Sequence, residues 1–355
     1  MRILYGVGSW GLGHATRSLA VLERLLAAGA EVTVVSAGRA LAVLGEELGT
    51  RCTLLAWPDV PQTLSRTAWG FYLRSALAVP AMLRVMGAER AATAALHRRH
   101  RFDRIVSDNR YGIQHPDVPS FHIAHSLRFI APGRMRLIEL ALEAFNYHWF
   151  SRLRKVIVPD TPQDRLAGDL AHTLRIFPAS LLAYVGPLCS VRPLPVPEDV
   201  DVFVTISGPE PQRTVLERQV LRQVSGLPGR VVVSLGRPEA SGSPTGGAEV
   251  YPYLDRRRQQ EMLARARVVV SRSGYTTLCE LATLGKRAVV VPTPGQTEQV
   301  YLAHYHHGRG SVWAVASGAL HLARDVPQAA SRPGLRAAVT GEEAAQRAAA
   351  LILDG

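Results

Sequence analysis

Short apolar runs alternate with helical patterns twice along this chain, and few folds accept that order. The first set comprises Arg2 to Val7, Glu31 to Ser36, Cys52 to Ala56, Arg104 to Ser107, Phe121 to Ala124 and Val156 to Val158. The second comprises Asp201 to Ile206, Arg230 to Ser234, Ala266 to Val270 and Arg287 to Val291. Runs this apolar suit strands buried on both faces, which a parallel sheet covered by helices provides. The helical patterns between them, such as His14 to Ala28 closed by Gly29 and Thr276 to Leu284 closed by Gly285, supply the covering layers. Tyr184 to Leu188 and the proline-rich Arg192 to Pro197 fall between the sets and read as a linker. A length of 355 residues is large for one core and natural for two. The expected organisation is α/β with two Rossmann-like domains: residues 1–188, a linker at 189–200, residues 201–334, and an alanine-rich helical tail at 335–355.

Composition narrows the partners. Hydrophobic residues at 47% and charged residues at 20% describe a globular chain. No apolar run approaches the roughly 18 residues that a bilayer span requires. Met1 to Gly6 reads directly as a strand and not as a signal peptide, and Cys52, Cys189 and Cys279 have neither zinc nor disulfide spacing. A cytoplasmic location is expected. The formal charge is +12, and residues 1–188 hold 22 Lys+Arg against 14 Asp+Glu, a difference of +8. No zinc-finger spacing or aromatic RNA-binding signature accompanies the charge, so nucleic acid is not the expected partner. Phosphorylated substrates and anionic lipid remain. Two segments of the first half, Leu64 to Arg101 and Arg134 to Lys155, interleave aromatic and aliphatic residues with arginines. Such helices either cover the sheet or rest on an anionic bilayer.

The second set carries the most specific chemistry. Ser271-Arg-Ser-Gly-Tyr-Thr-Thr-Leu-Cys-Glu280 follows a buried strand and opens a helix. Gly274 permits close backbone approach, and the helix start at Tyr275, Thr276 and Thr277 offers unpaired N–H groups and the positive end of a dipole, suited to a phosphate or pyrophosphate. Glu280, about one turn in, can accept hydrogen bonds from neighbouring hydroxyls such as those of a ribose. Glu298 and Gln299, after the next strand, suit sugar hydroxyls. A phosphate cradle, a ribose carboxylate and a polyol-binding pair in one half point to a nucleotide-sugar site. In the first half, Gly6-Val-Gly-Ser-Trp-Gly-Leu-Gly-His14 contains a GxGxxG pattern, which alone would suggest a dinucleotide. An NAD site would want an acidic residue ending the second strand. Ser36 and Arg39 stand there instead, which keeps an NADP-dependent oxidoreductase open as a competing reading.

From Arg272 through Tyr301 the order of residues resembles the donor half of GT-B glycosyltransferases, most closely family 28, which contains the transferase that forms lipid II, and more distantly the UDP-glycosyltransferases. Gly-Leu-Gly-His-Ala-Thr-Arg, residues 11–17, resembles the first-domain glycine loop of the same family. The resemblance implies two domains facing across a cleft, with the terminal helix crossing back to the first. It implies an inverting, metal-independent transfer of a sugar from a nucleotide-diphosphate sugar, with UDP expected, to an acceptor hydroxyl that a lipid could carry. The nucleotide sugar is then a substrate, and no cofactor or metal is expected. His14 becomes the base, a role suited to imidazole, and Asp108 a carboxylate that orients it or acts itself. Gly11, Gly13 and Arg17 border the acceptor, with His125 in reserve. Arg272, Ser273 and Gly274 hold phosphate, and Tyr253 and Leu254 occupy the place where relatives hold the base. Ser207 and Gly208 match the loop after the first donor-domain strand, but Pro209 and Pro211 remove backbone donors, which shifts phosphate contact toward Arg213 or Thr214. The family's linker arginine is replaced near Cys189. The same residues also admit an epimerase of the same fold, or a non-catalytic protein that binds a nucleotide sugar or an anionic surface. Asp199-Val-Asp201 reads as linker and not as a metal motif, and His304, His306 and His307 read as surface residues.

Overall fold

The computed structural model describes residues 1–60, 63, 65, 67–237 and 248–355. Leu64 and Arg66, within the first arginine-rich segment, lie outside the described residues. The chain divides into two compact units, one of Met1–Ser65, Trp69–Ser190 and Ala338–Gly355, the other including Val191–Ala337.

The first unit runs β1 (Arg2–Val7), α1 (Gly13–Ala27), β2 (Glu31–Ser36), α2 (Gly38–Leu48), β3 (Thr53–Ala56), α3 (Ala68–His100), β4 (Arg104–Asp108), β5 (Ser120–Ile123), α4 (Arg136–Phe150), β6 (Lys155–Val158) and β7 (Leu182–Tyr184). Its strands pair in parallel in the order β3-β2-β1-β4-β5-β6-β7. The order reverses between β1 and β4, so the crevice beyond their carboxyl ends is where an α/β sheet opens to a ligand. The second unit runs β8 (Val200–Thr205), α5 (Gln212–Leu221), β9 (Val231–Ser234), β10 (Glu249–Tyr251), α6 (Arg256–Arg265), β11 (Ala266–Ser271), α7 (Tyr275–Thr283), β12 (Arg287–Val290), α8 (Thr297–Gly308), β13 (Trp313–Ala314) and α9 (Leu322–Ala330). Its sheet, also parallel, reads β10-β9-β8-β11-β12-β13 and reverses between β8 and β11. Val231 to Val233 and Val268 to Val270 are buried throughout, the expected state of a strand covered on both faces.

The last helix, α10 (Gly341–Asp354), belongs to the first unit. Thr340 caps it by accepting from the Glu343 amide at 3.2 Å, and the Glu343 carboxylate accepts in return from the Thr340 amide at 2.9 Å. Ala344, Ala345, Ala348, Ala349 and Ile352 then join the same core as Leu19 and Leu22 of α1. Their small side chains let the two helix backbones approach closely.

Three short strands, β7, β10 and β13, go beyond the sequence expectation. Each sits at or next to a sheet edge, where a two- or three-residue run carries too little pattern to read. The tyrosine that reads as the start of the linker, Tyr184, is the end of β7.

Gly186 tests the docking of α10. Its φ is +110°, and a Cβ there would meet Val339 Cγ1 at 2.7 Å and the Ala344 Cβ at 3.1 Å. Gly186→Ala should destabilise the first unit by roughly 2–5 kcal/mol, combining strain with overpacking. Gly29→Ala, at φ +80° with open space around it, should cost about 1–2 kcal/mol. Chemical denaturation showing equal losses would place the α10 contact elsewhere.

Candidate functional site

Both sheet reversals carry the residues singled out in the sequence. In the first unit, the loop after β1 is pinned where β4 ends: the Gly8 amide donates to the Asp108 carbonyl at 2.8 Å. A Cβ on Gly8 would come within 3.2 Å of that carbonyl oxygen, so the residue must be small. The Ser9 amide and hydroxyl both donate to Asp59, at 2.6 and 2.8 Å, and the Trp10 indole donates to the Val60 carbonyl at 2.6 Å. Gly11 takes φ +78°, and Gly13 opens α1. Sequence reasoning misses Asp59, because nothing in a Pro-Asp dipeptide says which loop it will hold.

His14 sits in the first turn of α1, with its Nδ1 2.8 Å from Asp108 Oδ1. Asp108 is fully buried, at 0% exposure. Burial alone would raise its carboxyl, but Arg17, His14 and the hydrogen bonds they donate hold it far below the usual carboxylate range. It is therefore a permanent anion at neutral pH. Arg17 Nε donates to Asp108 Oδ2 at 2.7 Å, Arg17 Nη2 donates to Oδ1, and the Ser18 hydroxyl donates to Oδ2 at 2.9 Å. Arg17 Nη1 lies 2.8 Å from His125 Nδ1. The sequence places Arg17 on the acceptor loop. The structure corrects this: Arg17 is 2% exposed and is the counter-ion of Asp108. The available signal was a cation on the buried face of α1, between Ala15 and Leu19, where a charge needs a partner. Arg17 Nη2 also lies 2.9 Å from His14 Nδ1; in the tautomer whose Nδ1–H donates to Asp108, the imidazole keeps Nε2 as a proton acceptor.

In the second unit, α7 begins without a side-chain cap: Gly274 is its N-cap, and the first bond of the helix runs from the Leu278 amide to the Gly274 carbonyl. The amides of Tyr275, Thr276 and Thr277 thus precede the helix ladder, as an anion site requires. A Cβ on Gly274 would meet no protein atom closer than 4.0 Å, and its φ of −66° is ordinary. Neither strain nor internal crowding asks for glycine there. Glu280 lies on the same helix and is partly buried, and no described residue donates to its carboxyl. Burial pushes that carboxyl up to about 7. Tyr253 is exposed and Leu254 buried, just before α6, whose N-cap Asp255 accepts from the Arg258 amide at 2.8 Å.

Several expected phosphate or sugar contacts have other duties. Arg272 is 2% exposed and donates to the carbonyls of Gln212 at 2.8 Å, Pro292 at 3.1 Å, Val291 at 3.2 Å and Ser207 at 3.4 Å. It braces the loops around the site and does not reach out of them. No described carboxylate neutralises it, and although burial lowers it to about 10 it stays charged at neutral pH, so it adds positive potential beneath the start of α7. Arg213 is bound to Glu210, and to Glu217 at 2.9 Å, which removes it as a free phosphate ligand; its neighbour Thr214 is engaged by Glu210 through its amide at 3.3 Å. Gln299 accepts from the Thr293 amide at 2.9 Å and donates to Gln296 at 2.5 Å, holding the loop after β12. Ser273 donates to the Gln299 carbonyl at 2.8 Å, and Glu298 stands beside it in the first turn of α8. Ser207 and Gly208 are exposed at the end of β8, with Gly208 at φ +117°.

Residues that would serve an oxidoreductase or a metal site also have structural duties. Ser36 donates its hydroxyl to the Val7 carbonyl at 2.9 Å from a fully buried position, which turns it away from any cofactor phosphate. Asp199 pairs with Arg265 at 2.5 Å and Arg230 at 2.9 Å, while Asp201 pairs with Arg267 at 2.8 Å. His306 is 1% exposed and not a surface residue, because α8 turns it toward the core. His307 accepts from the Ala314 amide at 3.1 Å.

Residues 234–326 match the Glycosyltransferase family 28 C-terminal domain, and residues 1–54 match Glycosyl transferase family 1. The UDP-N-acetylglucosamine–N-acetylmuramyl-(pentapeptide) pyrophosphoryl-undecaprenol N-acetylglucosamine transferase of Sorangium cellulosum is 33% identical over 121 residues, 31% of this chain and 29% of that protein. The Rippkaea orientalis enzyme of the same name is 31% identical over 148 residues, 38% of this chain and 41% of its own. The matches thus span well under half of these relatives. Among solved structures, the kitacinnamycin glycotransferase superposes with TM-score 0.64 at 18% identity, covering 99% of this chain and 98% of its own. Acinetobacter baumannii MurG gives 0.58 at 13% identity over 100% of each chain. The Streptomyces glycosyltransferase SsfS6, complexed with thymidine diphosphate, gives 0.57 at 17% identity over 100% of each chain. The fold is the two-domain GT-B glycosyltransferase fold, and part of its second unit matches the family 28 C-terminal domain.

The Asp108–Arg17 pair can be tested apart from any substrate. Asp108→Asn leaves a buried guanidinium without its counter-charge and should cost about 3–5 kcal/mol of stability. In an Arg17→Met background the same substitution should cost far less. Denaturation curves giving equal costs in both backgrounds would show that the two residues are not coupled.

Proposed function

We propose that this protein is an inverting, metal-independent glycosyltransferase. It moves a sugar from a nucleotide-diphosphate sugar, with UDP as the nucleotide, to an acceptor hydroxyl carried by a lipid. The observation that supports this best is the pairing on one short helix of an uncapped start at Gly274 with the unpartnered carboxyl of Glu280. The start suits a diphosphate, and the carboxyl suits a vicinal diol about one turn away. The names of the curated relatives, which specify a UDP-sugar donor and an undecaprenol-linked acceptor, favour UDP and a lipid.

In this reading the α7 amides, strengthened by the charge of Arg272, stabilise the diphosphate as it leaves, a role of preorganised donors that needs no ion. His14 Nε2 takes the proton from the acceptor hydroxyl as its oxygen attacks the anomeric carbon on the face opposite the diphosphate, which inverts that carbon. Asp108 fixes the Nδ1–H tautomer and stabilises the imidazolium that forms. Tyr253 offers a face to the nucleotide base, and Glu298, in the first turn of α8, a carboxylate toward the transferred sugar.

The chain would work as a peripheral protein on the cytoplasmic face of a membrane. Among the described residues no helix is long and apolar enough to cross one. On α3, however, Trp69, Leu73 and Leu77 are 61%, 63% and 74% exposed at a spacing of four residues, with Arg74 and Arg84 exposed beside them. A stripe of this kind suits an anionic bilayer surface.

These roles give distinct outcomes. His14→Ala should leave UDP affinity unchanged while turnover falls by roughly 10²–10⁴-fold; full turnover in an assay of UDP release would remove His14 as the base. Glu280 makes donor binding pH-dependent. Its raised carboxyl means that the unliganded fold holds a proton more tightly than the unfolded chain, so its contribution to stability falls as pH rises from about 4.3 to about 7. A ribose diol favours the ionised form, so UDP affinity should climb by up to about tenfold per unit below pH 7 and level above it. Calorimetry should find this slope absent in Glu280→Gln; an identical slope in that variant would assign the proton to another group. Leu73→Glu with Leu77→Glu should abolish cosedimentation with anionic vesicles at low salt, and undiminished cosedimentation would assign the contact to another surface.

A further inference from the structure

The first unit holds an arginine-lined cavity that the proposed reaction does not use. It has a volume of about 210 Å³ and lies among the loop after β5, the first turn of α4 and residues 169–175, with Arg128, Arg134, Arg136 and Arg175 in its walls. Two of these arginines are committed. Arg128 donates twice to Glu143, at 2.8 and 2.7 Å, and once to the Thr173 carbonyl at 2.8 Å. Arg134 bridges Glu139 at 3.1 Å and Asp169 at 2.9 Å. The guanidinium groups of Arg136 and Arg175 make no bond to any described residue. Four guanidinium groups against three carboxylates (Glu139, Glu143 and Asp169) leave one excess positive charge, and the first turn of α4 adds the positive end of its dipole.

Further features set this place apart from a solvated basic surface. Arg134 and Thr173, both in the cavity wall, have φ of +57° and +55°, a backbone state that non-glycine residues rarely adopt. The Arg134 side chain is tied to Glu139 and Asp169 in the same wall. Beside the cavity on the same turn, Met135 and Leu137 are 44% and 84% exposed. Charge inside and apolar side chains at the edge describe an amphiphile.

We propose that this cavity binds the phosphate group of a membrane amphiphile, with Arg136 and Arg175 as its direct ligands and Met135 and Leu137 against the apolar part. Guanidinium forks match phosphate oxygens in pairs, so the arginines would recognise geometry as well as charge. The site does not depend on glycosyl transfer, and its failure would leave the roles of His14 and Glu280 untouched.

The test uses the full chain with short-chain soluble phosphatidic acid, inorganic phosphate, and phosphatidylcholine vesicles containing phosphatidic acid. Calorimetry should show one short-chain lipid bound per first unit, weakened roughly tenfold or more in Arg136→Gln/Arg175→Gln. Arg136→Lys/Arg175→Lys, which keeps the charge, should weaken it as well. Leu77→Glu should reduce vesicle cosedimentation and leave short-chain lipid affinity unchanged, separating this cavity from the α3 stripe. Inorganic phosphate binding as tightly as the short-chain lipid, and lost in the glutamine variant, would uphold the phosphate site and assign it a soluble source. Equal binding of all probes by wild type and the glutamine variant would overturn the proposal.

Discussion

A carboxylate with no access to water needs a full set of donors, and Asp108 has one. Arg17 gives it a guanidinium, Ser18 a hydroxyl and His14 a ring nitrogen, and all three come from the first turns of α1. The requirement fixes where α1 starts relative to the end of β4, and through the Gly8 amide it fixes the loop between β1 and α1 as well. The orientation of the His14 ring follows from charge neutralisation in the core. The catalytic geometry proposed for the first unit is therefore as rigid as the fold itself, since neither can relax without exposing an unpaired ion.

The second unit solves the corresponding problem differently. Its buried cation, Arg272, is surrounded by carbonyl oxygens and by no described carboxylate. Carbonyl dipoles satisfy its hydrogen bonds but leave its charge in place. One reversal point therefore carries a neutralised pair around a titratable ring, and the other an uncompensated positive charge under an uncapped helix. Proton transfer suits the first and anion binding the second.

Much of this could be read from residue order. The strands β1, β2 and β11 and the helix α7 follow from apolar runs and glycine stops, because strands covered on both sides leave an unbroken pattern. The His14–Asp108 contact was foreseeable once both residues fell at the ends of adjacent elements. What escaped reading was allegiance: Arg213, Arg272 and Gln299 have the chemistry of phosphate or sugar ligands, yet each is engaged by a neighbour on its own unit. A side chain's type is local, whereas its partner depends on tertiary proximity that spacing along the chain does not encode. Arg17 shows the converse, a residue whose burial on an apolar helix face announced a partner without naming it.

The return of α10 to the first unit has a consequence for biosynthesis. Val339, Ala345 and Ile352 share a core with Ile3, Leu19 and Val34, yet some three hundred residues of chain separate the two contributions. A nascent chain leaving the ribosome would present an incomplete first unit, its α1 face uncovered, while the whole second unit was still being made. The first unit can finish folding only once α10 has been made. The cell would thus gain a check on synthesis through α10, because a chain truncated anywhere before Thr340 would carry an exposed apolar groove for chaperones and proteases to find.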